Sequence, residues 1–240
     1  MQEVGARKIG VGCDGFVLIR QSKIANFTMD FFNPDGHPAE MCGNGARCAA
    51  HLAFSLGIGS ENLTIETPAG ILRALVKSNN VLVTMTPPTE LNLDGSLLVD
   101  EQQFHYSSVN TGVPHVVVEA QDLEELNVQE LGALFRNHPH FLPNGTNVNF
   151  VKVTGSNSLD ARTYERGVEG ETLACGTGLV ACGIIACKRG LVKAPTSITC
   201  RGGYVMTFDC NFTHEGIDDV KLLGPVRYVY NGILEYTSHG

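Results

Sequence analysis

The polar and apolar positions of the chain fall into two kinds of pattern. Most segments alternate on a two-residue period or form short apolar runs between turn residues. Examples are VGCDGFVLI, FTMDFF, TIETPAGILRA, NVLVTMT, HVVVE, NVNFVKV, SITCRGGYVMT and VKLLGPVRYVY. Such segments predict strands. Three others predict helices. After Gly45, the polar residues Arg47, His51 and Ser55 recur every four positions among Ala46, Cys48, Ala49, Leu52, Ala53 and Leu56. That describes a mostly buried helix with one polar stripe, which Gly57 can end. After Gly178 the run LVACGIIAC carries no charge. It should be buried on all sides, as a helix wrapped by sheet would be, with Lys188 and Arg189 suiting its C-terminus and Gly190 its stop. The segment from Asp122 to Asn137 has helical spacing and an acidic start.

The two best-marked helices belong to a repeat. Cys42-Gly43-Asn44-Gly45 aligns with Cys175-Gly176-Thr177-Gly178 at an offset of 133 residues, and the same offset pairs Ile65 with Ile198 and Gly70 with Gly203. Asn33 and Arg166 each lie nine residues before their cysteine. Each unit reads as strand, loop, C-G-x-G, helix, loop, strand. The pattern predicts an α+β chain of two pseudo-symmetric domains, with equivalent residues meeting at a cleft and the seam near Pro87-Pro88.

Composition narrows the function. The formal charge of −8 is spread among 25 acidic and 17 basic residues, without a basic patch or arm. Nucleic acid and anionic membrane surfaces are therefore not expected partners. The apolar run from Leu179 to Cys187 is far too short to span a bilayer, and the N-terminus lacks a signal-peptide pattern. The expectation is a soluble, cytoplasmic protein. Eight cysteines stand at 13, 42, 48, 175, 182, 187, 200 and 210, with no CxxC pair, which disfavours a zinc ribbon or a thioredoxin-type site. Cys48, Cys182, Cys187, Cys200 and Cys210 read as core hydrophobes, and Cys13 stays unassigned. His138 and His140 read as loop residues, with no third metal ligand in range; no metal site is expected. His115 precedes a strand and either closes a turn or lines the cleft. No lysine carries a signal for a pyridoxal phosphate Schiff base, and no cofactor is expected.

Cys42 and Cys175 are different, because each opens a glycine-rich helix start. Free N–H groups and the positive end of the helix favour a thiolate there, so a lowered thiol pKa is expected. The same groups can hold a carboxylate, and the glycines allow close approach. Face to face, the two units would hold an amino-acid carboxylate between helix starts, with one sulfur on each side of the α-carbon. One thiolate removes the α-proton and the other thiol returns one to the opposite face. One C-G-x-G could simply pack a helix on a strand; two in register weaken that reading. A dinucleotide fingerprint is also disfavoured. GNGARC lacks its third glycine, and GVGCDG, which has it, is followed by the strand-like FVLI.

The segments FNPDGHPAEMCGNGARC and YERGVEGETLACGTG resemble the two signature segments of diaminopimelate epimerase, and the similarity runs from about Lys8 onward. Asn44 and the ERG…ET…ACGTG form distinguish them from proline racemase. The resemblance implies two domains, 1–88 with 227–240 and 89–226, each a mostly antiparallel or mixed sheet curled around a central helix. It implies cofactor-free interconversion of LL- and meso-diaminopimelate, in lysine and peptidoglycan biosynthesis, by a homodimer. It implies Cys42 and Cys175 as acid/base thiols, with Gly43, Asn44, Gly176 and Thr177 at the reacting carboxylate. Asn33, Asn147, Glu165 and Arg166 would hold the distal amino-acid group. That set makes chemical sense unaided, since an arginine forks onto a carboxylate and a glutamate pairs with an ammonium. The family's opening strand and Gly-Asn-Asp-Phe segment have no counterpart here, so an exposed sheet edge is expected. Val113 stands where many members have asparagine, and Gly15 where some have glutamine. The alternatives are a racemase of another amino acid such as histidine, or a homologue that binds without turnover. A phenazine-type isomerase is disfavoured by the cysteine pair.

Overall fold

The computed structural model describes residues 1–39, 42–214 and 216–234; Glu40 and Met41, which belong to the first signature segment, and residues 235–240 of the expected first domain lie outside them. A short helix α1 (Gln2–Gly5) precedes β1 (Phe16–Arg20), β2 (Phe27–Phe32) and β3 (Pro38–Ala39). Helix α2 (Gly43–Ser55) follows, then β4 (Asn62–Thr67), β5 (Gly70–Lys77) and β6 (Asn80–Thr84). The second half holds β7 (Thr89–Val99), β8 (Gln102–Asn110), β9 (Pro114–Glu119), α3 (Val128–Arg136), β10 (Asn147–Gly155), β11 (Ser158–Glu165) and β12 (Gly170–Thr172). Helix α4 (Gly176–Lys188) then leads to β13 (Thr196–Cys200), β14 (Val205–Phe212) and β15 (Ile217–Pro225). The Pro87-Pro88 pair lies in the connection between β6 and β7.

All the strands join one mixed sheet in the order β1-β2-β4-β5-β6-β15-β14-β13-β11-β10-β9-β8-β7, with β3 on β2 and β12 on β11. The repeat is visible in this order. Strand β2 turns antiparallel into β3, crosses through α2 to its parallel neighbour β4, and β4 pairs antiparallel with β5. Strand β11 does the same with β12, α4, β13 and β14. The helices are 13 residues each and begin at equivalent glycines. Between the halves, β15 pairs antiparallel with both β6 and β14. Helix α4 buries every residue from Gly176 to Ala186 except Thr177, as its lack of charge predicts. Gly57 and Gly190 take positive φ of 75° and 71° after the helices, the backbone form that terminates them. No helix among the described residues is long and apolar enough to cross a membrane.

Three expectations are corrected. The helix expected over 122–137 covers only Val128–Arg136. Asp122 Oδ1 instead accepts the backbone N–H groups of Glu124 and Glu125, and the helix starts at the Asn127 cap, whose Oδ1 accepts from Glu130 N–H. The strand expected over VKLLGPVRYVY stops at Pro225, which pairs with Asn80, the first residue of β6. On α2, the supposed polar stripe is inverted at two positions: Arg47 is 5% exposed while Cys48 is exposed. Arg47 turns toward the second half, and Cys48 shares the outward face with Leu52 and Leu56.

Candidate active site

Both cysteines are helix N-caps in extended backbone, so their sulfurs stand beside the open N–H groups of a first turn. Cys42 Sγ accepts the Gly45 N–H at 3.3 Å. Cys175 is 6% exposed and its sulfur lies 3.5 Å from Thr177 Oγ1. The two helix starts abut. A Cβ built on Gly43 would stand 3.9 Å from Gly176 Cα, and one built on Gly176 would stand 3.7 Å from Gly43 Cα. At that separation the two helix starts are in van der Waals contact. Asn44 bridges the halves by donating from Nδ2 to the Ala174 carbonyl at 3.3 Å.

Neither thiol has the lowered pKa expected from its helix start. Burial pushes Cys42 up, against the Gly45 and Asn44 N–H groups and the Arg47 charge that pull it down. Cys175 is pushed up further, by burial first and by the Glu165 carboxylate second, with Thr177 and the Gly178 N–H opposing. Desolvation exceeds the pull of the helix starts. Glu165 itself is raised by burial, against hydrogen bonds from Thr172 and Cys175.

A polar chain runs inward from Cys175. Thr177 Oγ1 lies 2.9 Å from His115 Nε2, and His115 Nδ1 lies 3.1 Å from Asn149 Nδ2. Asn149 is oriented by Thr163 Oγ1, which donates to its Oδ1 at 2.9 Å, and by the Val116 carbonyl, which accepts from its Nδ2 at 2.8 Å. An amide nitrogen can only donate, so His115 Nδ1 accepts and the imidazole proton sits on Nε2. The imidazole then donates to Thr177, whose own proton is free to point at Cys175. Burial, with the Arg166 charge a lesser cause, lowers His115 to about 3, so the ring stays neutral. Thr111 Oγ1 donates to the Thr177 carbonyl at 3.0 Å and steadies the same turn.

The residues expected at the distal group are only partly gathered. Asn147 Oδ1 accepts the Arg166 backbone N–H at 2.9 Å, its Nδ2 donates to the Pro114 carbonyl at 3.0 Å, and Arg166 Nη1 donates to the Asn144 carbonyl at 2.8 Å. Glu165 couples electrically to both thiols. Asn33 stands on the exposed turn after β2, where its backbone closes a loop with His37 and Gly36, and its side chain has no hydrogen bond among the described residues. Val113 is half-buried in the turn before β9.

The family model for diaminopimelate epimerase matches residues 1–91 and 107–229. A diaminopimelate epimerase of Aquifex aeolicus is 44% identical over 246 residues, spanning 98% of this chain and 87% of that one. The chain belongs to the diaminopimelate epimerase family. A second member, from Hydrogenobaculum, is 43% identical over 232 residues, with 94% and 82% covered. The fold recurs in solved structures of low identity. A hydroxyproline epimerase from Agrobacterium vitis superposes with a TM-score of 0.72 at 17% identity, over 96% of this chain and 78% of that one. A phenazine biosynthesis protein from Bacillus anthracis gives 0.69 at 17%, over 90% and 84%.

Within this family frame, three residues of the cluster carried little signal in the sequence. Asn149 is a lone polar side chain in the apolar strand NVNFV, with zero exposure, and such a residue needs partners wherever it is buried. Thr163 faces it from β11. Arg47 looked like a solvent position on a helix. His138 and His140 do not lie in a plain loop: His138 caps a short 3-10 helix, Pro139–Phe141, that contains His140, whose Nε2 meets Tyr106 Oη at 3.0 Å. Among the described residues no cluster of three or more His, Cys, Asp or Glu side chains has metal-holding geometry.

Proposed function

We propose that the protein interconverts LL- and meso-diaminopimelate by two-base proton transfer between Cys42 and Cys175, with no cofactor. The observation that carries this is the abutment of two helix starts, each capped by a cysteine, in a chain of this family. The units 1–88 with 227–240 and 89–226 face one another across that contact. The N–H groups of Gly43, Asn44, Gly176 and Thr177 hold the reacting carboxylate, where helix-end charge also stabilises the enolate-like charge that develops. Both thiols are protonated at rest. A bound ammonium group supplies positive charge beside them and favours one thiolate, whose proton is lost to water. That thiolate takes the α-proton, and the opposite thiol protonates the carbanion from its own side, leaving the two sulfurs with exchanged protonation. Glu165 pairs with the distal ammonium, while Arg166, Asn147 and Asn33 take the distal carboxylate. A homodimer in the cytoplasm is part of the same reading.

The test is proton NMR of the reduced protein with LL-diaminopimelate in deuterium oxide, with Cys42→Ala and Cys175→Ala alongside. Loss of an α-proton signal with formation of the meso isomer, the isomerisation being abolished by either substitution, supports the proposal. If the folded protein exchanges no α-proton of diaminopimelate but does exchange that of a monocarboxylic amino acid such as histidine, the substrate is wrong. If it exchanges neither, the proposal fails.

A further inference from the structure

Among the described residues two arginines are buried, and they are treated differently. Arg162, 8% exposed, is forked onto the Glu171 carboxylate at 2.6 and 2.8 Å. Arg47, 5% exposed, has no such partner. Its Nη2 donates to Asn44 Oδ1 at 2.6 Å, and its Nε has no hydrogen bond among the described residues. The groups whose charges act on it are thiols, those of Cys48, Cys42 and Cys200. A buried guanidinium stays charged and is costly unless an anion answers it. The fold nevertheless makes room for it: a Cβ on Gly224 of β15 would stand 3.1 Å from Arg47 Nε.

Of the three thiols, Cys200 donates to the Tyr204 carbonyl at 3.2 Å, and Cys48 turns outward. Cys42 alone of the three already accepts a backbone N–H on its sulfur. The charged groups that face Cys42 are Glu165 from the second half, which opposes the thiolate, as Cys175 does, and Arg47, the cation set against them. Asn44 adds a mechanical link. With its oxygen held by the guanidinium, its amide nitrogen is turned to the Ala174 carbonyl, next to Cys175.

We propose that Arg47 is a positioning residue for Cys42: its guanidinium is the built-in counter-charge of the Cys42 thiolate, and through Asn44 it fixes the start of α2 against the segment leading into Cys175. This rests on the reading that Cys42 is a thiolate for part of the reaction. The pair explains why an arginine without a carboxylate is kept inside the molecule. It also makes the two thiols unequal: Glu165 opposes ionisation of both, and only Cys42 has a resident positive charge set against it.

The experiment is alkylation by iodoacetamide of the reduced protein, followed for each cysteine by peptide mass spectrometry between about pH 7 and 11, a range that brackets a thiol raised above the ordinary value of about 8.5. Wild type, Arg47→Gln and Arg47→Lys are compared, with circular dichroism to establish folding and Cys13 as reference thiol. In Arg47→Gln the Cys42 midpoint should rise by about one pH unit, so alkylation near neutrality slows roughly tenfold. Arg47→Lys should keep the midpoint while slowing α-proton exchange, because lysine lacks the planar Nη2 arm that donates to Asn44 Oδ1. An unchanged Cys42 profile in folded Arg47→Gln overturns the proposal. Should that variant not fold, Arg47→Lys decides: a midpoint raised by a full unit overturns it, and a retained midpoint with slowed exchange supports it. A wild type that shows the Arg47-dependent midpoint but exchanges no amino-acid α-proton sinks the proposed function and leaves the counter-charge standing.

Discussion

Acidification should destabilise the protein through one buried imidazole. His115 is 1% exposed, with Nδ1 accepting from Asn149 and Nε2 donating toward Thr177, and it is lowered from 6.5 to about 3 in the fold. Between those values the unfolded chain binds a proton that the folded one refuses. The stability this group contributes is therefore complete above about pH 6.5 and falls as pH drops toward 3. Each pH unit in the window is worth about 1.4 kcal/mol, so near pH 4.5 the loss is roughly 2 to 3 kcal/mol. Urea unfolding of wild type and His115→Gln, at about pH 7 and about pH 4.5, isolates it, since the carboxylates titrate alike in both. Wild type should lose roughly 2 to 3 kcal/mol more than the variant on acidification. Equal losses would mean that His115 is not held neutral, and the relay from Asn149 to Cys175 would have to be abandoned.

Three further outcomes are expected. Since Cys42 is raised by burial, kcat/KM for α-proton exchange should climb as pH rises past the ordinary thiol range of about 8.5; a profile flat from pH 7 to 9 contradicts a thiol resting protonated. Gly178→Ala places a methyl 2.3 Å from Asn149 Oδ1 and 3.3 Å from Cys175 Sγ, so exchange should drop tenfold or more and stability by about 1 to 3 kcal/mol in a urea melt. Glu171→Gln leaves the buried Arg162 charge without its carboxylate, and a thermal melt should show a loss of about 3 kcal/mol, against almost none for the exposed pair of Arg201 and Glu124.

The repeat was legible because the same offset of 133 governs residues and backbone alike: Gly43 and Gly176 open equivalent helices, and Gly70 and Gly203 both take positive φ. Helix α4 was legible because nine residues without charge have nowhere to go but inside. What failed to show was whatever depends on partners far along the chain. Periodicity places Arg47 on a polar stripe, but cannot say that this residue meets β15 rather than water. It predicts a strand through Tyr230, but cannot see that β6 supplies no partner beyond Asn80. The helix expected from Asp122 was pre-empted locally, by an aspartate that satisfies two backbone N–H groups in a turn. The cysteine pair was visible in the motif, yet its acidity was misjudged. A helix start is readable in sequence, whereas the desolvation that outweighs it depends on the other half arriving.

Strand β15 has a consequence for how the molecule is made. It is the last strand in chain order, yet it stands between β6 and β14 and carries the hydrogen bonds that join the halves. A ribosome finishing this chain releases the first half long before that seam exists, so β6 waits with a bare edge while the whole second half is synthesised. Such an edge is a template for pairing with the wrong chain. During synthesis this architecture therefore carries a β6 edge that the finished fold covers, in addition to the β1 and β7 edges that it keeps.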